Sequence, residues 1–133
     1  MRIVGHGVDI VDVKKTIRLL LDPGCVDVTG DWFTEQELAR SPSNDTSRAV
    51  YLSGQIAAKE AIVKALGTGL IGDMTWPEIE VLRDEAGAPH VALSGAVAAA
   101  ASALNVSHWF VSIAHTDDHA FASAIAVYQV SSV

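Results

Sequence analysis

Residues 54–69 read GQIAAKEAIVKALGTG. The spacing predicts a helix whose sides are unusually bare. Ala57, Ala58, Ala61 and Ala65 leave room for another element to pack very close. Gly67 stands where such a helix stops in the left-handed conformation. Glu60 and Lys64 share a stripe with Ile56, flanked by Ala57 and Val63. Two readings of Glu60 stay open. It is a surface partner of Lys64, in the favourable i, i+4 order and worth about 0.3–0.5 kcal/mol. Or it is a carboxylate at a close-packed junction, desolvated unless it has a partner.

The element that packs there is suggested by residues 2–11, RIVGHGVDIV. The stretch alternates and is rich in β-branched residues, which predicts a strand. A period of two puts Ile3, Gly5, Gly7, Asp9 and Val11 on one face and Val4, His6, Val8 and Ile10 on the other. The glycines leave an empty strip beside the Asp9 carboxylate, as glycines do where a ligand or another backbone comes close. His6, on the opposite face, reads as packed or hydrogen-bonded rather than as a ligand. Asp9 either caps the strand end or meets water, or joins Glu60 in a hard oxygen site. Such a pair suits Mg²⁺, with Lys64 one turn away to hold a phosphate.

Outward from this pair, Asp12 is an N-cap for a helix over 13–21, with Val13, Ile17, Leu20 and Leu21 as its apolar stripe. Lys14, Lys15 and Arg18 share the polar side. Asp22–Pro23–Gly24 ends it. Thr34 and Glu37 form a capping box, 41–47 is a loop, and a long helix covers 47–66. Residues 78–83 and 90–93 form a hairpin. Ser94 caps an alanine-rich helix ending near Asn105, and 108–115 and 120–128 are two further strands. The sum is an α+β fold, a mostly antiparallel sheet with helices packed on it, as one domain over 1–133.

Composition narrows the function classes. The chain has 133 residues, is half hydrophobic and carries a formal charge of −7. That balance argues against nucleic acid as partner, because phosphate backbones call for a basic footprint. No apolar run approaches the roughly 20 residues that span a bilayer. The N-terminus does not read as a signal peptide, and the single Cys25 fits a reducing cytoplasm.

The motifs GHGVDIV (5–11), FTEQEL (33–38), AAKEAIVKALGTG (57–69), IEVLRDEAGAPHVALSG (79–95) and VSIAH (111–115), in this order, resemble the holo-(acyl carrier protein) synthase family. These are the small AcpS-type 4′-phosphopantetheinyl transferases. The resemblance implies a 4′-phosphopantetheinyl transferase-like fold, commonly trimeric, with active sites between subunits. It implies transfer of 4′-phosphopantetheine from coenzyme A to a serine of an apo acyl carrier protein, Mg²⁺-dependent, in fatty acid biosynthesis, with release of adenosine 3′,5′-bisphosphate.

Residue by residue, Asp9 and Glu60 match the family's metal carboxylates. Lys64 matches its lysine near the coenzyme phosphates. His115 and Thr116 match residues near the nucleotide's 3′-phosphate, and Gly67 and Gly69 a turn passing close to the cofactor. The carrier serine's proton goes to a metal-bound water or to Glu60. Carriers of this kind are acidic, so Lys14, Lys15 and Arg18 become the docking face. Gln55 stands where the family often has arginine, which removes one cation near the coenzyme, and Arg48 is the candidate to replace it. The alternative is a catalytically weak coenzyme A-binding or carrier-binding module, for which Gln55 is the one hint.

Overall fold

The structure is a computed structural model that describes residues 1–21 and 29–130. Its centre is helix α4 (Asp45–Leu66) laid on strand β1 (Arg2–Asp12) and on β5 (His119–Tyr128). β4 (His108–His115) completes an antiparallel sheet of order β1-β5-β4, in which β1 and β4 are the edges. β2 (Ile79–Arg83) and β3 (Pro89–Leu93) pair as a separate two-stranded antiparallel sheet. The observed architecture is thus α+β, with two antiparallel sheets rather than one among the described residues.

The glycines of β1 explain the close contact. A Cβ on Gly5 would run into the Ala65 carbonyl, and one on Gly7 into the Ala61 carbonyl. The empty strip of the sequence is therefore filled by helix backbone. Across the interface Ala57, Ala61, Ala120, Ala122, Ala124 and Ala126 are all fully buried. Small residues on both sides bring the backbones together, so what projects from the rim of this seam is held firmly.

One detail of β1 departs from strict alternation. A bulge between Ile3 and Gly5 absorbs Val4, and Ile3 is 63% exposed instead of sharing the buried face. An extra residue in one strand of a pair resets which way its neighbours point.

Asp12 caps as expected, accepting from the backbone N–H of Lys14 and Lys15. The helix it starts is shorter than the sequence spacing predicts. α1 (Val13–Thr16) gives way to a wider π-helical turn at Ile17–Leu21. The wider turn shifts the apolar stripe. Val13 and Thr16 are buried, whereas Ile17 is 41% exposed. The stop at Asp22–Gly24 lies outside the described residues. A short helix unforeseen in the sequence, α2 (Thr29–Trp32), follows, and then α3 (Glu35–Ala39). Both halves of the Thr34–Glu37 capping box are present.

α4 begins at Asp45, two residues before the expected start, because Asn44 accepts from Ser47 N as its N-cap. It ends on Gly67 at φ 78°. A 3₁₀ turn (Trp76–Glu78) leads into β2, and α5 (Gly95–Ala103) follows β3. Ser94 occupies the N-cap position of α5 without a side-chain bond. Glu78 takes the task instead, accepting from Ala96 N at 3.0 Å across the fold. Trp32 and Trp76 stack with ring centroids 4.9 Å apart, tying α2 to the 3₁₀ turn.

Candidate active site

Asp9 sits on the edge strand with its side chain toward α4. Its Oδ1 lies 3.0 Å from Nζ of Lys64, which also donates to the Val8 carbonyl at 3.0 Å. The lysine side chain is half exposed, and the Asp9 side chain much less so. Glu60 is one turn back along α4 and half-buried. Burial first, and the nearby Asp9 charge second, push its carboxyl above the usual glutamate range, while Lys64 pulls the other way. Lys64 is thus drawn to Asp9 across the seam, which sets aside the surface pair with Glu60 and favours the reading of a desolvated carboxylate at a close-packed junction. No ion pair joins it to Lys64 among the described residues, and it is a carboxylate short of positive charge.

The chemistry of this corner follows from its donors. Two hard carboxylates converge, one of them desolvated and repelled by the other. The lysine already resting on Asp9 shows that the spot attracts a cation. Among the described residues no group of three or more His, Cys, Asp or Glu forms a self-sufficient metal cage. Two carboxylates suit a cation that completes its shell with water and a ligand's phosphates.

Gly67 and Gly69 follow Lys64 at φ 78° and 70°, and a Cβ at either would meet open space. They are glycines because the turn needs the left-handed region, not because protein crowds them.

His115 closes β4 at the opposite edge of the sheet. Its neighbour Thr116 spends its hydroxyl on the turn, accepting from Asp118 N and His119 N. His115 lines a cavity of about 490 Å³ with Ser47, Tyr51, Arg83 and Asp117. Arg48 is not among the lining residues, and its guanidinium bonds Ser41 Oγ at 3.2 Å. Arg83 is the arginine that faces this cavity. Sequence reasoning passed over it because it reads as the last residue of an exposed hairpin strand. Lys14, Lys15 and Arg18 are all exposed on and just after α1.

Gln55 does not face the Asp9 corner. It is 1% exposed, and its Nε2 donates to Glu37 Oε2 at 2.7 Å and to the Val81 carbonyl at 2.8 Å. Lys59, one turn on, pairs with Glu37 at 2.8 Å, both side chains fully buried. It also donates to the carbonyls of Trp76 and Ile79. Burial pulls the Lys59 ammonium below the usual lysine value, and Glu37 opposes that. The departure at Gln55 therefore belongs to a polar core under α3, and the hint of a weakened binding module goes with it.

The seam brings two carboxylates and a lysine to one corner, a donor set chemically suited to a cation and a ligand's phosphates. The model of the 4′-phosphopantetheinyl transferase superfamily matches residues 5–124, and the chain belongs to this superfamily. A holo-[acyl-carrier-protein] synthase of Alkaliphilus metalliredigens is 38% identical over 93% of this chain and 98% of its own. Among solved structures, holo-[acyl-carrier-protein] synthase from Neisseria meningitidis superposes with a TM-score of 0.82 at 30% identity, covering 95% of this chain and 99% of that one. An ACPS–CoA complex from Chronobacterium ammoniagenes gives 0.80 at 30% identity, covering 98% and 100%. The chain is accordingly an enzyme of the holo-[acyl-carrier-protein] synthase kind, which moves phosphopantetheine onto an apo acyl carrier protein. No helix among the described residues is long and apolar enough to cross a membrane.

Proposed function

We propose that this chain, acting as one catalytic domain in the cytoplasm, uses coenzyme A as donor and Mg²⁺ held by Asp9 and Glu60, and serves the carrier protein of fatty acid synthesis. The observation that carries the proposal is the Asp9–Glu60–Lys64 corner, where two carboxylates, one of them desolvated, and a half-exposed ammonium converge. When bound, Mg²⁺ supplies positive charge against the pyrophosphate oxygens on which charge builds during attack. Asp9 and Glu60 would hold it from strand and helix, across the seam that Gly5 and Gly7 let close. Lys64 leaves Asp9 for a phosphate oxygen and adds a second positive centre. Gly67 and Gly69 keep the turn beside it clear of side chains.

The nucleotide end needs His115, Thr116 and the cavity beside Arg83. Within one chain these lie at the β4 edge, two strand spacings (about 10 Å) from β1, with α4 packed over the sheet between. The two halves of a site on opposite edges are joined when a second copy brings its β4 end to this chain's β1 edge. A closed ring of three copies satisfies every edge. The outward face of the same sheet is apolar enough to be buried in that ring. The acidic carrier docks on Lys14, Lys15 and Arg18, beside a trough formed by Val11, Leu19, Trp32 and Ile56. Its attraction is steered by charge and weakened by salt.

The test is mass spectrometry of an apo acyl carrier protein incubated with coenzyme A, Mg²⁺ and this protein. The expected product has gained one phosphopantetheine, with the gain lost on chelation and in Glu60→Gln. Failure to modify any of several carriers would sink the reading.

A further inference from the structure

The face of the β1-β5-β4 sheet turned away from α4 carries Val8 and Ile10, Phe121 and Ile125, and Phe110. Val8, Ile10, Phe110 and Phe121 are 44%, 65%, 59% and 42% exposed. In the register, His6 stands opposite Ile125, which stands opposite Phe110. The His6 Nε2 meets Ser123 Oγ at 3.3 Å. Charged and titratable groups keep to the margins of this face. Asp12 and His119 pair at one end, His108 lies at the other, and Arg2 rests over the Tyr128 ring. The Asp12 carboxylate is committed to the α1 N-terminus. Between those margins His6 is the sole titratable side chain that β1, β4 and β5 turn outward among the described residues.

We infer that His6 makes self-association across this face pH-dependent: the neutral imidazole enters the contact between copies, and the imidazolium opposes it. This rests on the assembly reading given above. A second copy is the occupant because the half-sites at the two edges need one, and because a face without charge offers nothing to a charged partner. A neutral imidazole keeps one donor and one acceptor, and a serine hydroxyl can meet either. An imidazolium finds no carboxylate on this face, so burying it is costly. Symmetry adds to the effect, since every copy brings its own His6 to the same contact. The imidazole is also the side chain whose charge changes within the physiological range.

The experiment is sedimentation velocity of the full chain between about pH 8 and about pH 5.5, the range an imidazole crosses. Assembly is the readout because Glu60 alters activity with pH by itself. The dissociation constant of the wild-type oligomer should rise at least about tenfold on acidification, because every copy brings one imidazole to the contact. His6→Val and His6→Gln should stay assembled throughout, and His6→Lys should dissociate even at the alkaline end. An oligomer whose affinity ignores pH, or a His6→Val protein that tracks the wild type, overturns the inference and leaves the assembly reading standing. A monomer at every pH overturns both.

Discussion

Lys64 and Asp9 are 55 residues apart in sequence, and their charged atoms meet at 3.0 Å. The helix supplies one and the edge strand the other, and Gly5 and Gly7 let the two backbones close the gap. Because Lys64 is half exposed, its pair with Asp9 adds less than about 1 kcal/mol to stability. If its work is done on a phosphate, Lys64→Ala should cut turnover by on the order of 10²–10³-fold and scarcely move the denaturation midpoint. Steady-state transfer to a carrier protein together with a urea melt decides this. Turnover within a few-fold of wild type would remove Lys64 from the reaction.

Glu60 should trade stability against activity. Its carboxyl is raised by burial and by Asp9. A group raised on folding favours the folded state when protonated. That contribution is full below the ordinary glutamate value near about 4.3 and is lost as pH rises through the higher folded value. At neutral pH the ionised Glu60 therefore opposes folding. Glu60→Gln should melt about 1–2 °C above wild type there, taking the like-charge repulsion it relieves as about 0.3–0.5 kcal/mol. The gain should vanish as the pH falls toward about 4. Calorimetry at the two pH values checks it, and an equal difference at both would contradict the assignment.

Two glycines of the site region should fail differently. A methyl on Gly7 meets the Ala61 carbonyl and lies 2.8 Å from Ala65 N, both of them backbone that cannot step aside. Gly7→Ala should cost about 3 kcal/mol, at the high end for overpacking, and should depress transfer by shifting Asp9 from Lys64. A methyl on Gly67 meets nothing. Its cost is the left-handed backbone alone, about 1–2 kcal/mol. Guanidinium melts of the two variants should rank them in that order.

The seam was legible because it is local. Alternation placed Gly5, Gly7 and Asp9 on one face, and helical spacing placed Glu60 and Lys64 on one stripe. Caps at Asp12, Thr34 and Gly67 followed from residue type and were found. What stayed hidden depends on elements far apart in sequence. Glu37 reads as half of a capping box, and nothing nearby announces that its carboxylate also receives Lys59 and Gln55 from α4. Nothing in the sequence around Lys59 marks it as buried, because β2 and the 3₁₀ turn before it are what close over its stem. Ser94 looked like a cap, but Glu78 reaches the same helix end from another element. Arg83 could be found only once β2 lay beside the start of α4.

The buried pair gives the most demanding test of how this core is held. Glu37 accepts from Lys59, from Gln55, from Val81 N and from Thr34 N. Lys59 donates to Glu37 and to two main-chain carbonyls. Lys59→Met leaves a buried carboxylate with amide donors alone, and Glu37→Gln leaves a buried ammonium with carbonyls alone. Each strands one charge away from water, so each should cost on the order of 3–5 kcal/mol. In the double variant no charge is stranded, and its cost should fall short of the sum of the singles by about 0.5–3 kcal/mol. Equilibrium unfolding of all four proteins closes the cycle. Simple additivity would mean that the residues act through their separate main-chain bonds, and that the ion pair contributes nothing of its own to fastening α4 to α3.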